Sequence, residues 1–318
     1  MIETNLPIYY MAVNIASSQF RGIIPPMITP LNNESELDLK GLRNLIEHLI
    51  KGGVHGLFIL GTTGESTSLP YALRHRLIEE TCDIVKGRVP VLVGITDTAV
   101  SESLRLAETA KQCCASALVA APPYYFSLGQ PELIEYYEYL ADRIPLPLFL
   151  YNMPSHTKIN IEPDTVEYLS KHEKIIGLKD SSGNTAYFNK LLYKMKDYDD
   201  FSLFVGPEEV TAETVMLGGA GGVNGGANMF PRLYVELYSA AVAGDIEKVR
   251  DLHDLVMEIS TEIYSIGKYG SSYLKGLKCA LNLMGLCSGY MSSPLHQFNK
   301  EEKDRLEIIL KKIQKKIL

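Results

Sequence analysis

The run Ile175-Ile176-Gly177-Leu178-Lys179 is apolar up to its last residue, where a lysine appears. A short β-rich stretch of this kind reads as a buried parallel strand, and its end delivers the lysine to the mouth of a barrel. Strict alternation would put Ile175, Gly177 and Lys179 on one face and Ile176, Leu178 and Asp180 on the other. An ammonium beside a glycine and an isoleucine is poorly hydrated. That environment favours the free amine and makes Lys179 a candidate Schiff-base nucleophile toward a keto carbon. The plainer reading is a strand-end lysine that snorkels into solvent.

The flanking sequence supports the barrel. From Gly22 onward, short β-rich runs alternate with amphipathic stretches, as βα units around a parallel sheet do. The runs are 22–28, 56–60, 91–94, 117–120, 146–151, 175–179, 202–205 and 222–225, with helical patterns such as 39–51, 71–86, 101–113 and 131–143 between them. Eight such units joined by right-handed crossovers predict a (β/α)8 TIM barrel over residues 21–243. Residues 244–318 read as C-terminal helices packed on the barrel, and 1–20 as an N-terminal extension. A doubly wound sheet holding a nucleotide is the alternative. The glycine-rich stretch 218–226 fails its G-x-G-x-x-G spacing, because Asn224 stands where the last glycine belongs, and it lacks the Lys-Ser/Thr of a P-loop. Its glycines instead predict room for a ligand at the barrel mouth.

With 46% hydrophobic and 22% charged residues among 318, the composition is that of a globular protein with a large core. The net charge of −7 and the absence of basic runs outside 311–316 exclude an electrostatic footprint for nucleic acid. Cysteines at 82, 113, 114, 279 and 287 form no C-x-x-C pair or zinc spacing, so the expectation is a reduced, cytoplasmic protein without a metal site. No segment reads as a membrane span.

Barrel function collects at the C-terminal strand ends. Strand two ends in Gly61-Thr62-Thr63-Gly64-Glu65-Ser66, strand four in Pro122-Pro123-Tyr124-Tyr125, strand five in Tyr151-Asn152-Met153-Pro154-Ser155, and strand six in Lys179-Asp180-Ser181-Ser182-Gly183-Asn184. Singly, each reads as a helix cap, a turn or a half-buried aromatic. Together they place hydroxyls, phenols, amides and one lysine at a common rim. The Thr62-Thr63-Gly64 turn can hold a carboxylate with two hydroxyls and nearby N–H groups. Tyr151 faces inward with Phe149 and can meet Lys179 from the next strand. A phenol, with an ordinary pKa of about 10, needs a relay partner to move protons at neutral pH, and a threonine and a second tyrosine could supply one.

These motifs, in this order and over residues 22–294, resemble the dihydrodipicolinate synthase and N-acetylneuraminate lyase family. The resemblance implies a pyruvate-dependent class I aldolase or lyase on a (β/α)8 barrel with C-terminal helices. It also implies a homotetramer built as a dimer of dimers, small-molecule 2-keto acid and aldehyde substrates, and no cofactor beyond a covalent imine. By the same resemblance Lys179 forms the imine and Tyr151 moves protons. Thr62 and Thr63 serve carboxylate binding and relay, Tyr125 completes the relay across a dimer interface, and the carbonyl of Val223 faces the pyruvyl group.

The chain departs from the lysine-precursor synthases at His156, where they carry an arginine that grips the aldehyde's carboxylate. An imidazole cannot replace a guanidinium's two-pronged donor set. Tyr71 and Arg74 stand at positions that are histidines in some feedback-regulated synthases. The sequence therefore favours cleavage or condensation of a sugar-derived, N-acetylneuraminate-like or 4-hydroxy-2-oxoglutarate-like keto acid, with specificity resting on His156, Ser181 and Asn224. The alternatives are the lysine-pathway synthase proper, a non-catalytic keto-acid or amino-acid binding protein, and a metal-dependent lyase, against which the missing His and carboxylate cluster stands.

Overall fold

A computed structural model describes residues 20–317, so the expected extension over 1–20 lies, apart from Phe20, outside the described residues. Eight parallel strands form one curled sheet: β1 (Gly22–Ile23), β2 (Leu57–Ile59), β3 (Val91–Gly94), β4 (Ala117–Ala120), β5 (Leu148–Asn152), β6 (Ile175–Asp180), β7 (Ser202–Val205) and β8 (Gly221–Gly222). They pair in chain order from β2 to β8, and β8 pairs with β1. Closure between β1 and β2 is made just past β1, where Pro25-Pro26 cuts short the strand expected over 22–28. A proline lacks the N–H a ladder needs. The backbone continues beside β2 nonetheless, with Phe58 N donating to Pro25 O at 3.0 Å and Met27 N to Phe58 O at 2.8 Å. The chain is thus a (β/α)8 barrel.

Helices cover the outside through apolar stripes at helical spacing. In the first, Leu39–Lys51, Leu42, Leu45, Ile46 and Leu49 are buried, and Asp38 caps the N-terminus by accepting from Gly41 N at 2.8 Å. Further helices follow β8, at Pro231–Ala243, Ile246–Glu258, Ser272–Leu283 and Lys300–Ile317.

The barrel interior is filled by Phe20, Ile24, Phe58, Leu92, Phe149, Ile176 and Phe204 among others, while Leu148, Leu150, Ile175 and Leu178 pack outward under the helices. Here strict alternation in β6 fails. Leu148 pairs with Ile175 but Phe149 pairs with Gly177, so Ile176 is an extra residue in β6. The isoleucine that shares the interior with Lys179 is therefore Ile176, not Ile175. Gly177 is required at this step, because a Cβ there would fall 2.4 Å from the Phe149 ring and 2.5 Å from Ser202 O.

Candidate active site

β5 and β6 place Tyr151 and Lys179 opposite one another as paired residues, both facing the interior. Lys179 is only 6% exposed, and its Nζ lies 4.1 Å from the centre of the Tyr151 ring and 5.0 Å from that of Phe58. Among the described residues this amine makes no hydrogen bond or close ion pair, although its charge is felt by the Asp180 carboxylate next in the chain. A buried amine surrounded by aromatic faces is costly to the fold and available for chemistry.

The Tyr151 hydroxyl lies 3.2 Å from Thr62 Oγ1. Thr62 belongs to a tight turn that leaves β2 through Leu60 in a left-handed conformation (φ 57°). The turn is closed by Gly64 N and Ser66 N donating to Gly61 O, and by Glu65 N donating to Thr62 O. Those bonds use the N–H groups of residues 64–66 and leave those of Thr62 and Thr63 outside the set. The turn is held from two sides. Thr29 Oγ1 donates to Gly64 O at 2.7 Å. Glu65 pairs with Lys278 at 2.5 Å, with 2% and 1% side-chain exposure, and also accepts from Ser292 N. Lys278 in turn donates to Tyr290 O at 2.6 Å, so the C-terminal region fixes the turn that carries both threonines.

Lys179, Tyr151, Thr62, Thr63, Val223, Ser181 and His156 all line one cavity of about 300 Å3. It shares Thr62, Tyr151, Met153, His156, Gly270 and Leu274 with an adjoining groove of about 620 Å3. The cavity's hydroxyl-rich, partly apolar wall suits a small polar ligand. His156 sits at the exposed rim, its Nδ1 2.9 Å from Ser155 Oγ; partial desolvation and then the Lys158 cation lower its pKa. Ser181 N donates to Asn152 O at 2.8 Å. Asp180 points out of the barrel, where Asn152 and Ser182 donate to it; burial raises its pKa despite those donors. Among the described residues, no three His, Cys, Asp or Glu side chains gather as a metal-ligand set, and no helix is long and apolar enough to cross a membrane.

Two sequence-based expectations are not brought to the cavity, and a third is corrected. Tyr125 is 77% exposed at the tip of the loop after β4, against Phe126, and lines neither space; Tyr124 lines the larger groove. Asn224 is buried behind β8, where its amide donates to Gly206 O at 3.1 Å and Thr211 Oγ1 at 2.9 Å, so it is tied into the scaffold rather than presented to a ligand. The glycines around it do not clear space for a ligand either. A Cβ on Gly222 would strike Asn224 Oδ1 at 2.0 Å, one on Gly225 the Tyr273 hydroxyl at 1.9 Å, and one on Gly226 the Tyr234 hydroxyl at 1.9 Å.

Those tyrosines introduce a part of the wall that sequence reasoning missed. Glu208, Glu209, Tyr264 and Tyr273 line the same cavity. Glu208 accepts from Tyr234 OH at 2.6 Å, Tyr264 OH at 3.0 Å and Gly226 N at 2.8 Å. Burial pushes its pKa up to about 7, against the lowering effect of these donors. Tyr264 follows a π-helical turn, Ile259–Ile263, of the kind often found beside functional sites. Tyr273 lies near the N-terminus of the helix Ser272–Leu283. Nothing local in the sequence marks these residues, although the adjacent glycines 225 and 226 were a trace of the phenols packed on them.

Comparison with known proteins adds independent findings. The model of the Dihydrodipicolinate synthetase family matches residues 19–313. A probable 2-dehydro-3-deoxy-D-pentonate aldolase of Escherichia coli is 33% identical over 92% of this chain and 97% of its own length. A dihydrodipicolinate synthase structure from Bacteroides thetaiotaomicron is 58% identical, with a TM-score of 0.90 and coverage of 92% of this chain and 98% of that one. The Escherichia coli prophage protein YagE, of the dihydrodipicolinic acid synthase family and solved in complex with pyruvate, is 31% identical, with a TM-score of 0.88 and coverage of 93% and 99%.

Proposed function

From the premise that this chain belongs to the dihydrodipicolinate synthetase family and is an enzyme of the aldolase and lyase type, we propose that it cleaves or forms a carbon–carbon bond through an imine between Lys179 and a pyruvyl group. The carrying observation is the Lys179 amine, buried and unpaired among the described residues, 4.1 Å from the Tyr151 ring, with the Tyr151 hydroxyl on Thr62 in the same cavity. Lys179 Nζ attacks the C2 ketone, and loss of water gives the iminium. Its nitrogen then takes up the electron pair released when C3–C4 breaks, Tyr151 with Thr62 takes the proton of the C4 hydroxyl as the aldehyde forms and returns it to C3 of the enamine, and water hydrolyses the imine to release pyruvate and Lys179. The iminium is the electron sink, so the step as written calls on no metal. Thr62, Thr63 and their N–H groups hold the keto acid's carboxylate, and the Val223 carbonyl faces the pyruvyl carbons. Tyr125 joins the relay from a second copy, within a homotetramer.

Charge selects the partner aldehyde. Among the described residues lining the two spaces, Lys179 is the one Lys or Arg, whereas Glu208 and Glu209 contribute carboxylates and the Glu65 charge is met by Lys278 behind it. An acceptor bearing its own carboxylate, such as aspartate semialdehyde, finds only His156 at the rim. The groove instead offers Ser66, Thr67, Ser68, Thr96, Ser155 and Ser271. A neutral polyhydroxylated aldehyde, and hence a sugar-derived 2-keto-3-deoxy acid as the cleaved form, fits this lining. The YagE pyruvate complex and the pentonate aldolase relative support the reading. Pyruvate release from a panel of 2-keto-3-deoxy sugar acids should exceed, in kcat/KM, condensation of pyruvate with aspartate semialdehyde. The reverse order would make the lysine-pathway synthase the correct assignment.

A further inference from the structure

The C-terminal helices supply a phenol to the carboxylate-binding turn. Tyr273 OH lies 3.1 Å from Thr63 Oγ1, and Thr63 is buried. The phenol cannot swing away easily. Its oxygen rests on the bare Cα of Gly225, its ring meets Tyr264 edge to face at 4.8 Å, and Tyr264 OH is locked on Glu208, which Tyr234 and Gly226 also hold. Burial, and next the nearby Glu208 carboxylate, keep the Tyr273 phenol protonated well beyond the physiological range. The phenol therefore keeps a proton to give, and Thr63 Oγ1 is the hydrogen-bond partner within reach of it among the described residues. A threonine hydroxyl that accepts from one neighbour has its own proton left to give to another.

We propose that Tyr273 is a positioning residue for substrate binding: it donates to Thr63 Oγ1 and so aims the Thr63 proton at the carboxylate of the bound keto acid. The inference rests on the imine reading above and extends the site from the barrel into the C-terminal helices. It also gives Gly225 a purpose, since any side chain there would displace the phenol. The expected effect is on affinity for the carboxylate, because the reacting carbon and its proton relay lie on the Tyr151 side of the turn. Loss of one hydrogen bond that serves a charged group corresponds to about a tenfold change in binding.

The test uses the pyruvate concentration that gives half-maximal borohydride-trapped adduct, read by intact mass, together with melting temperatures. Tyr273→Phe should raise that concentration about tenfold, with the limiting trapped fraction and the melting temperature nearly unchanged. Thr63→Val should raise it at least as much, and the double variant should bind no worse than Thr63→Val alone, because both remove the same bond. Gly225→Ala, which pushes the phenol aside, should reproduce the Tyr273→Phe shift and serves if that variant folds poorly. Unchanged half-saturation in a folded Tyr273→Phe protein, or effects that multiply in the double variant, would overturn the proposal. A wild-type protein that traps nothing overturns the imine reading itself, so the two failures are distinguishable.

Discussion

A Lys179→Met variant is expected to lose turnover by at least about four orders of magnitude while melting a few degrees higher than the parent. The first part follows from covalent catalysis. An amine fixed beside the ketone represents an effective molarity of about 10^5 M or more, and methionine offers no nucleophile in its place. The second part follows from burial. Lys179 Nζ has aromatic faces around it and no acceptor among the described residues, so the folded state bears the cost of an unsatisfied polar group, about 1–3 kcal/mol in proteins. A thioether of similar length fits the same aromatic surroundings without that cost. Activity and stability should thus move in opposite directions, as they do where a site is maintained against the fold's preference. Retained turnover to within tenfold would remove Lys179 from the mechanism.

Tyr151→Phe carries the second-largest expected effect, a fall of about 10^2–10^3 in kcat for cleavage. The ring would remain edge-on to Phe58, 6.5 Å between centres, and under the lysine, so the pocket keeps its shape. Only the hydroxyl that meets Thr62 at 3.2 Å is lost. With the relay broken and the nucleophile intact, the imine should still be trappable while carbon–carbon cleavage slows. Equal loss of trapping and cleavage would mean that Tyr151 serves mainly to shape the pocket, and a change of less than threefold in cleavage would dismiss the relay.

The barrel was legible because its strands are apolar runs at regular spacing, and a parallel sheet buried on both faces leaves that trace in any window of the chain. The strand ends were legible for the same reason: each rim segment begins where an apolar run stops. What failed was phase. One extra residue in β6 exchanges Ile175 for Ile176 in the interior, and a bulge depends on the partner strand, which a single segment does not contain. Gly222, Gly225 and Gly226 were misread for a related reason. The side chains nearest to them are Asn224, Tyr273 and Tyr234, and two of these come from helices that read in sequence only as amphipathic cover. Glu208, Tyr264 and Tyr273 were missed because the wall they form is assembled from separate segments.

The buried Lys278 offers an internal contrast. Like Lys179 it is almost wholly enclosed, but Glu65 and the Tyr290 carbonyl occupy its ammonium, whereas the Lys179 amine is left open to the cavity. Burial alone does not mark a candidate nucleophile; what sets Lys179 apart is an amine that lines the cavity beside Tyr151, Thr62 and Thr63.

Borohydride reduction in the presence of pyruvate, followed by intact mass and peptide mapping, tests the central claim most directly. The account predicts one pyruvate-derived adduct per chain, on the peptide that contains Lys179. An adduct on Lys278 or on a surface lysine, or none from folded protein under conditions that trap a known imine-forming enzyme, would contradict it.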